Sequence, residues 1–327
     1  MSADQLQLFG LPPERHGPVR AAEQPPELLA LAARLAPGLR LGTSSWSFPG
    51  WEGLVYDRPA SEARLAREGL RAYAGHPLFR TVGVDRGFYA PVQREAWEAY
   101  ARDVPQGFSF LVKALGELTT PLLPPERAGG RVGVENPRFL SPELCNTSVL
   151  APLEPLGALL GPLLFQFPPL DLVALGGPRA LADRLGAFLD ALPRGPLYAV
   201  ELRNAAALTP DYADALASVG AVHCLNVHPT MPSPAEQVAR LGARWRQAPA
   251  VVVRWMLGAG LRYQAAKERY QPFDRLVDPD PGTRAGLAAL LRADARPTWA
   301  VINNKAEGSS PRSVVELARA LAAEPGE

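Results

Sequence analysis

Residues 198–226 read YAVELRNAAALTPDYADALASVGAVHCLN, and this stretch decides the fold. Tyr198–Arg203 alternates apolar and charged side chains in the manner of a strand, and Ala221–Asn226 is a second short, largely apolar run. Between them Tyr212–Ser218 has helical periodicity, and Gly220 follows its end. A strand, a helix and a second strand within 29 residues make one parallel crossover unit, which is right-handed in nearly every known case.

The same unit recurs on either side. Strand-like runs occur at Leu39–Thr43, Thr81–Asp85, Phe108–Lys113, Leu163–Phe167, Ala250–Arg254 and Thr298–Asn303, which with the first two make eight. Helical stretches follow most of them, at Glu62–Ala74, Pro91–Asp103, Arg179–Leu192, Pro234–Gln247, Thr283–Ala293 and Pro311–Ala323. Eight such units predict an α/β chain folded as a single (β/α)8 TIM-type barrel, with a doubly wound open sheet as the alternative. The barrel is expected over residues 39–323. Residues 1–38, rich in proline, are expected to form a flexible tail with a short helix at Glu27–Leu35, and residues 324–327 a C-terminal tail. The Pro-rich connection from Ala114 to Gly161 is the long one, of the kind that walls an active site.

Composition removes several classes of function. The 34 Lys and Arg against 33 Asp and Glu leave a formal charge of +1, so no global field draws the chain to nucleic acid or to an anionic membrane. Apolar residues at 47% supply a core, which argues against a largely disordered chain. Two cysteines, Cys145 and Cys224, are too few for a disulfide scaffold, and four histidines leave little for a metal cluster. Neither a Walker-type loop nor a dinucleotide fingerprint follows a strand. We expect no cofactor, no metal, no membrane span and a soluble cytoplasmic protein.

In a barrel the chemistry sits at the C-terminal ends of the strands. Those ends carry Asp85, Lys113, Gln166, Glu201, Arg203, Arg254, Asn303 and Asn304. If they share inward parity, two arginines and a lysine meet two carboxylates at one mouth. Guanidinium forks suit carboxylate or phosphate oxygens. The expected ligand is therefore a small anion bearing hydroxyls: Lys113, Arg203 and Arg254 hold the anion, Gln166, Asn303 and Asn304 orient hydroxyls, and Glu201 with Asp85 moves protons. Lys113 also has the chemistry of a Schiff base where neighbouring cations depress its pKa. The competing expectation for each residue is an internal network in which charges merely neutralise one another. His223, inside an apolar strand, reads as a core histidine, whereas His228 is placed in a loop after strand six. Trp46, Phe48 and Trp51 either stack a ring or cap the barrel.

Taken together, Gly42-Thr43-Ser44-Ser45-Trp46 with Trp51 and Tyr56, Phe88-Tyr89, Lys113, Leu163 to Pro169, Glu201-Leu202-Arg203, Arg254 and Asn303-Asn304 resemble the blocks of the YecE-like family (domain of unknown function number seventy-two). Members of that family are TIM barrels of unassigned activity, and the resemblance covers about residues 39 to 322. The chain departs from the family pattern at four places. Gly83 and Asp85 stand where it carries Glu-x-Asn, and Thr120, Asn204 and Met256 stand where it carries histidines. If those histidines serve chemistry in relatives, the resemblance implies here a different activity, a binding role or none, with the anion pocket retained.

The N-terminus adds a separate expectation. Gln5-Leu6-Gln7-Leu8-Phe9 resembles the short peptide by which bacterial proteins dock on the replication sliding clamp, with its Leu and Phe as anchors. Three readings of function follow: a metal-independent enzyme acting on a small anionic substrate, a DNA-transaction protein tethered to the clamp, or a non-catalytic metabolite sensor. Nucleic-acid cleavage is disfavoured because clustered histidine and carboxylate metal ligands are missing.

Overall fold

The computed structural model describes residues 17–258 and 260–323. Eight parallel strands close into a barrel in sequence order: β1 (Leu39–Thr43), β2 (Phe79–Val84), β3 (Ser109–Lys113), β4 (Leu160–Gln166), β5 (Tyr198–Glu201), β6 (Val222–Val227), β7 (Val251–Trp255) and β8 (Thr298–Ile302), with β8 pairing back onto β1. The closed barrel, rather than the open sheet, is the architecture the repeating units adopt.

Side-chain alternation sorts each strand into two faces. Leu111, Leu164, Ala199, Val222, Cys224, Val252, Trp299 and Val301 form one buried cluster. They come from alternate positions and fill the barrel interior, as layers of apolar side chains do in this fold. The opposite faces pack against the helices in a larger cluster that includes Phe110, Phe165, Val200 and Val253. Continuing the interior parity by one step reaches Lys113, Gln166, Glu201, Asn226, Arg254 and Asn303. The polar layer at the mouth is thus the next layer above the apolar ones. Gly42 in β1 is required for closure, since a Cβ there would lie 1.9 Å from the Thr81 carbonyl oxygen.

The helices form for local reasons. Ser61, Thr209 and Ser233 cap their helices through side-chain oxygens, and Ser233 with Glu236 completes a capping box. Gly220, at φ 73°, ends the helix Pro210–Val219 in the left-handed conformation.

Three features depart from the sequence reading. Residues 17–25, expected as flexible tail, pack on the barrel: Val19 and Ala22 are buried, and the Ala22 N–H donates to the Val55 carbonyl at 2.9 Å. The helix that follows runs Pro26–Arg34 and buries Leu28, Leu31 and Ala32. An unexpected helix, Tyr263–Tyr270, lies between β7 and β8. The long β3–β4 connection is held by its own bonds, with the Asn136 amide donating to the Glu117 and Thr120 carbonyls at 2.8 and 2.7 Å. Gln5, Leu6, Leu8 and Phe9 of the clamp-like peptide, and residues 324–327, lie outside the described residues. Among the described residues no helix is long and apolar enough to cross a membrane.

Candidate functional site at the barrel mouth

The centre of the mouth is an alternating chain of charges. Glu201, the last residue of β5, is fully buried. Its Oε2 accepts a hydrogen bond from Arg254 Nη1 at 2.6 Å, and its Oε1 pairs with Arg203 Nη2. Arg254, itself 1% exposed, donates its other terminal nitrogen to both oxygens of Asp85 at 3.1 Å. The order is Arg203–Glu201–Arg254–Asp85, and only Asp85, with 32% of its side chain exposed, reaches solvent appreciably. Burial pushes the Glu201 pKa up, but the Arg254 and Arg203 guanidiniums outweigh it and hold the carboxyl below its ordinary value.

Asn226, in register with Arg254 across the β6–β7 pair, supports this chain. Its amide donates to the Leu202 carbonyl at 3.1 Å, and its oxygen lies 3.5 Å from Arg203 Nη1. Gln237 fixes the Asn226 backbone in turn, donating to its carbonyl at 2.7 Å and accepting from its N–H at 3.2 Å. Asn226 and Gln237 escaped the sequence reading as positioning residues. The inward parity of β6 was the signal for the first, and nothing in the sequence marked the second.

Two amines complete the mouth. Lys113 ends β3, is 8% exposed, and places Nζ 3.5 Å from the centre of the Phe88 ring. Lys305, 5% exposed, lies in the loop after β8 with Nζ 4.1 Å from the Tyr263 ring centre. Neither ammonium has a carboxylate within ion-pair distance or a hydrogen-bond acceptor among the described residues. Burial lowers both pKa values from 10.5 to about 8; Arg254 and Arg203 contribute to the fall at Lys113, and Lys267 at Lys305. Lys305 was missed from sequence because that reading stopped at the end of β8. The Asp85 carboxylate partly offsets the fall at Lys305. Tyr89 and Tyr263, 79% and 61% exposed, stand at the rim.

The other expected site residues are engaged as follows. Gln166, paired in register with Glu201, donates to the Phe167 carbonyl at 3.0 Å and is partly open to solvent. Asn303 donates to Ser44 Oγ at 2.7 Å and accepts from the Lys305 N–H at 2.9 Å, so it shapes the loop that carries Lys305. Asn304 accepts from the N–H and hydroxyl of Ser310, both at 2.8 Å, at the start of the helix Ser310–Ala322.

His223 points out of the barrel and bonds Tyr212 and Gln237 at 2.8 and 3.0 Å, a core histidine that burial keeps neutral, with its pKa lowered to about 4. His228 is half-buried beside the mouth; burial and then Arg203 lower its pKa to about 4. Trp46 and Trp51 are buried: the Trp46 indole N–H donates to the Leu65 carbonyl at 3.1 Å and its ring meets Tyr100 edge-on, while the Trp51 ring packs against Phe48 and Tyr73. The Asn204 side chain ties the loops after β4 and β5 together, accepting from the Leu170 N–H at 2.7 Å and donating to its carbonyl at 2.9 Å.

The roomier clefts lie away from this chemistry. One of about 500 Å3 opens between the helices Pro210–Val219 and Ala243–Gln247, and one of about 840 Å3 between Pro26–Arg34 and Ser310–Ala322. The buried ionic cluster lies at the mouth, and neither cleft is lined by such a cluster. Among the described residues no group of three or more His, Cys, Asp and Glu side chains is arranged to hold a metal ion.

A closed parallel barrel with a buried ionic layer at the C-terminal ends of its strands defines a TIM-barrel protein with a polar mouth. Its sequence matches the model of the family described as "Protein of unknown function DUF72" over residues 40–327, and the chain belongs to that family. Two solved structures agree in fold. A DUF72 family protein of Thermotoga maritima is 20% identical, with a TM-score of 0.58 over 87% of this chain and 99% of its own. Another from Enterococcus faecalis is 18% identical, with a TM-score of 0.57 over 88% of this chain and 96% of its own. No curated protein matches the sequence.

Proposed function

We propose that the protein binds a small phosphorylated or carboxylated, hydroxylated metabolite at the C-terminal mouth of its barrel. One observation carries the reading. Four cations, Arg203, Arg254, Lys113 and Lys305, surround two carboxylates, Glu201 and Asp85, and both carboxylates are already taken up by the arginines. Lys113 and Lys305 form no ion pair, and Asp85 only partly offsets the burial of the two amines, a charge that an anion would neutralise. Tyr89, Tyr263 and Gln166 at the rim supply surfaces and donors for the rest of the ligand.

On this reading the roles differ from those expected of the sequence. Glu201 is a positioning residue: clamped between two guanidiniums and shut from solvent, it stays ionised and aims both forks. Asp85, the accessible carboxylate, and the two amines are the groups able to pass protons without a metal. Asn303 places Lys305 rather than meeting the ligand.

A thermal-shift panel of sugar phosphates, small carboxylates, the parent neutral sugars and short DNA duplexes tests the proposal. A ligand at 100 times its dissociation constant adds about 2.7 kcal/mol of stability. The expected result is a shift with one class of small anion, lost in Lys305→Met. Equal shifts with the neutral sugars, or stabilisation by DNA alone, refute it.

A further inference from the structure

We infer that Lys113 is a nucleophile that forms an imine with the carbonyl carbon of a phosphorylated or carboxylated aldehyde or ketone bound in the mouth. The inference rests on the anion-binding reading above and names the substrate class of that site. Three observations converge on it.

The first is compositional. Of the 34 cationic side chains in the sequence, three are lysines: Lys113, Lys267 and Lys305. Lys113 and Lys305 both line the mouth, and Lys267, on the helix Tyr263–Tyr270, faces Lys305. A chain that otherwise uses arginine for its positive charge keeps amines at this one place. Holding an anion does not by itself require an amine, since a planar guanidinium fork also grips phosphate or carboxylate. What an amine adds is the capacity to lose its proton and attack.

The second is the setting of Lys113. It is more than nine-tenths buried, has no acceptor among the described residues, and its Nζ lies against the face of Phe88. The charged groups that face it are Asp85 and Glu201 on one side of the balance, and Arg254 and Arg203 on the other. Burial lowers its pKa to about 8, so the neutral amine is far more populated near neutral pH than in an ordinary lysine.

The third is the pairing of functions. Arg203 and Arg254 hold Glu201 and Asp85 in place beside Lys113, Lys305 is the cation left for the anion, and Asp85 is the accessible carboxylate able to pass a proton. In the reaction the neutral Nζ attacks the carbonyl carbon, and the C=O pair moves to oxygen. A proton passes from nitrogen to that oxygen, giving the carbinolamine. Protonation of the hydroxyl by Asp85 expels water as the nitrogen lone pair forms the C=N bond, and the resulting iminium returns its N–H proton to Asp85 to give the imine. Amine and carbonyl compound become imine and water, with no oxidant or reductant. Lys305 lies beside a second amine rather than beside the arginine pair, and is assigned to the anion.

The test uses the full chain, glycolaldehyde phosphate and borohydride, followed by peptide mass spectrometry. Because the sequence has three lysines, each adduct is assigned without ambiguity, and exposed Lys267 is an internal reference. At pH 7.5 and early times the reduced adduct on Lys113 is expected to exceed that on Lys267 at least tenfold. It should fall at least tenfold with unphosphorylated glycolaldehyde, and be absent in Lys113→Arg. Equal or greater adduct on Lys267 or Lys305, or indifference to the phosphate group, overturns the inference. If glycolaldehyde phosphate raises the melting temperature but leaves no adduct on Lys113, the imine is refuted and anion binding stands. If it neither labels nor stabilises and no anion of the panel binds, the reading beneath it falls as well.

Discussion

Replacing Lys113 by methionine should make the free protein more stable. Methionine keeps an unbranched apolar stem in the space beside Phe88 and removes the charge. In the native state the Lys113 pKa falls from 10.5 to about 8, with burial as the leading cause. At about 1.4 kcal/mol per unit, keeping the ammonium charged there costs about 3 kcal/mol at neutral pH. The cation–π contact with Phe88, at 3.5 Å, returns about 1–2 kcal/mol that the variant loses. The net expectation is a gain of about 1–2 kcal/mol at pH 7, or a rise of about 2–5 °C in melting temperature. The sign of the pH dependence follows from the direction of the shift. A lysine with a depressed native pKa binds fewer protons folded than unfolded between about 8 and 10.5, so its penalty is complete below that window and fades as pH rises through it. The advantage of Lys113→Met should therefore be full at pH 7 and gone near pH 10.5. Scanning calorimetry or denaturant melts across this range provide the measurement. A variant less stable than wild type at pH 7, or a difference that ignores pH, would show that the amine is a structural element and not a strained functional one.

Other perturbations separate positioning groups from accessible ones. Glu201→Gln leaves Arg254 and Arg203 buried without their shared counter-ion and should cost about 3–5 kcal/mol in denaturant unfolding. Asp85→Asn, at the exposed end of the same chain, should cost at least about 2 kcal/mol less, because water can take over the freed Arg254 nitrogen; the reverse order would contradict the assigned roles. Gly42→Ala forces a methyl against the Thr81 carbonyl and should destabilise by about 3 kcal/mol or prevent barrel closure, whereas a near-neutral melt would mean the β1–β2 approach is looser than drawn here.

The strands were legible because each is short, apolar and set between turn residues, and because two-residue periodicity fixes which side chains face inward. That parity alone gathers Asp85, Lys113, Glu201, Arg203 and Arg254 at one end of the barrel. The helix Tyr263–Tyr270 was not legible: YQAAKERY has one weak apolar stripe and no capping side chain, and it is formed by packing Ala266 and Tyr270 on the mouth. Lys305 escaped for a different reason. It lies three residues past β8, and its burial depends on Tyr263 and Phe273, which come from elsewhere in the chain. The asparagine pair looked like hydroxyl donors because the sequence carries no sign that Ser44, Ser310 and the Lys305 N–H would claim them. Residues 17–25 looked like a tail because proline suppresses regular structure without suppressing packing.

The central claim is that buried amines without a carboxylate partner make the mouth an anion site. With three lysines in the sequence, protein labelled with 13C at lysine Cε should give three assignable signals in a pH titration. The account predicts two midpoints near 8, for Lys113 and Lys305, and a rise in both when the anion found in the thermal-shift panel is added. Three midpoints near 10.5 in the free protein, or two low midpoints that no anion moves, would contradict it.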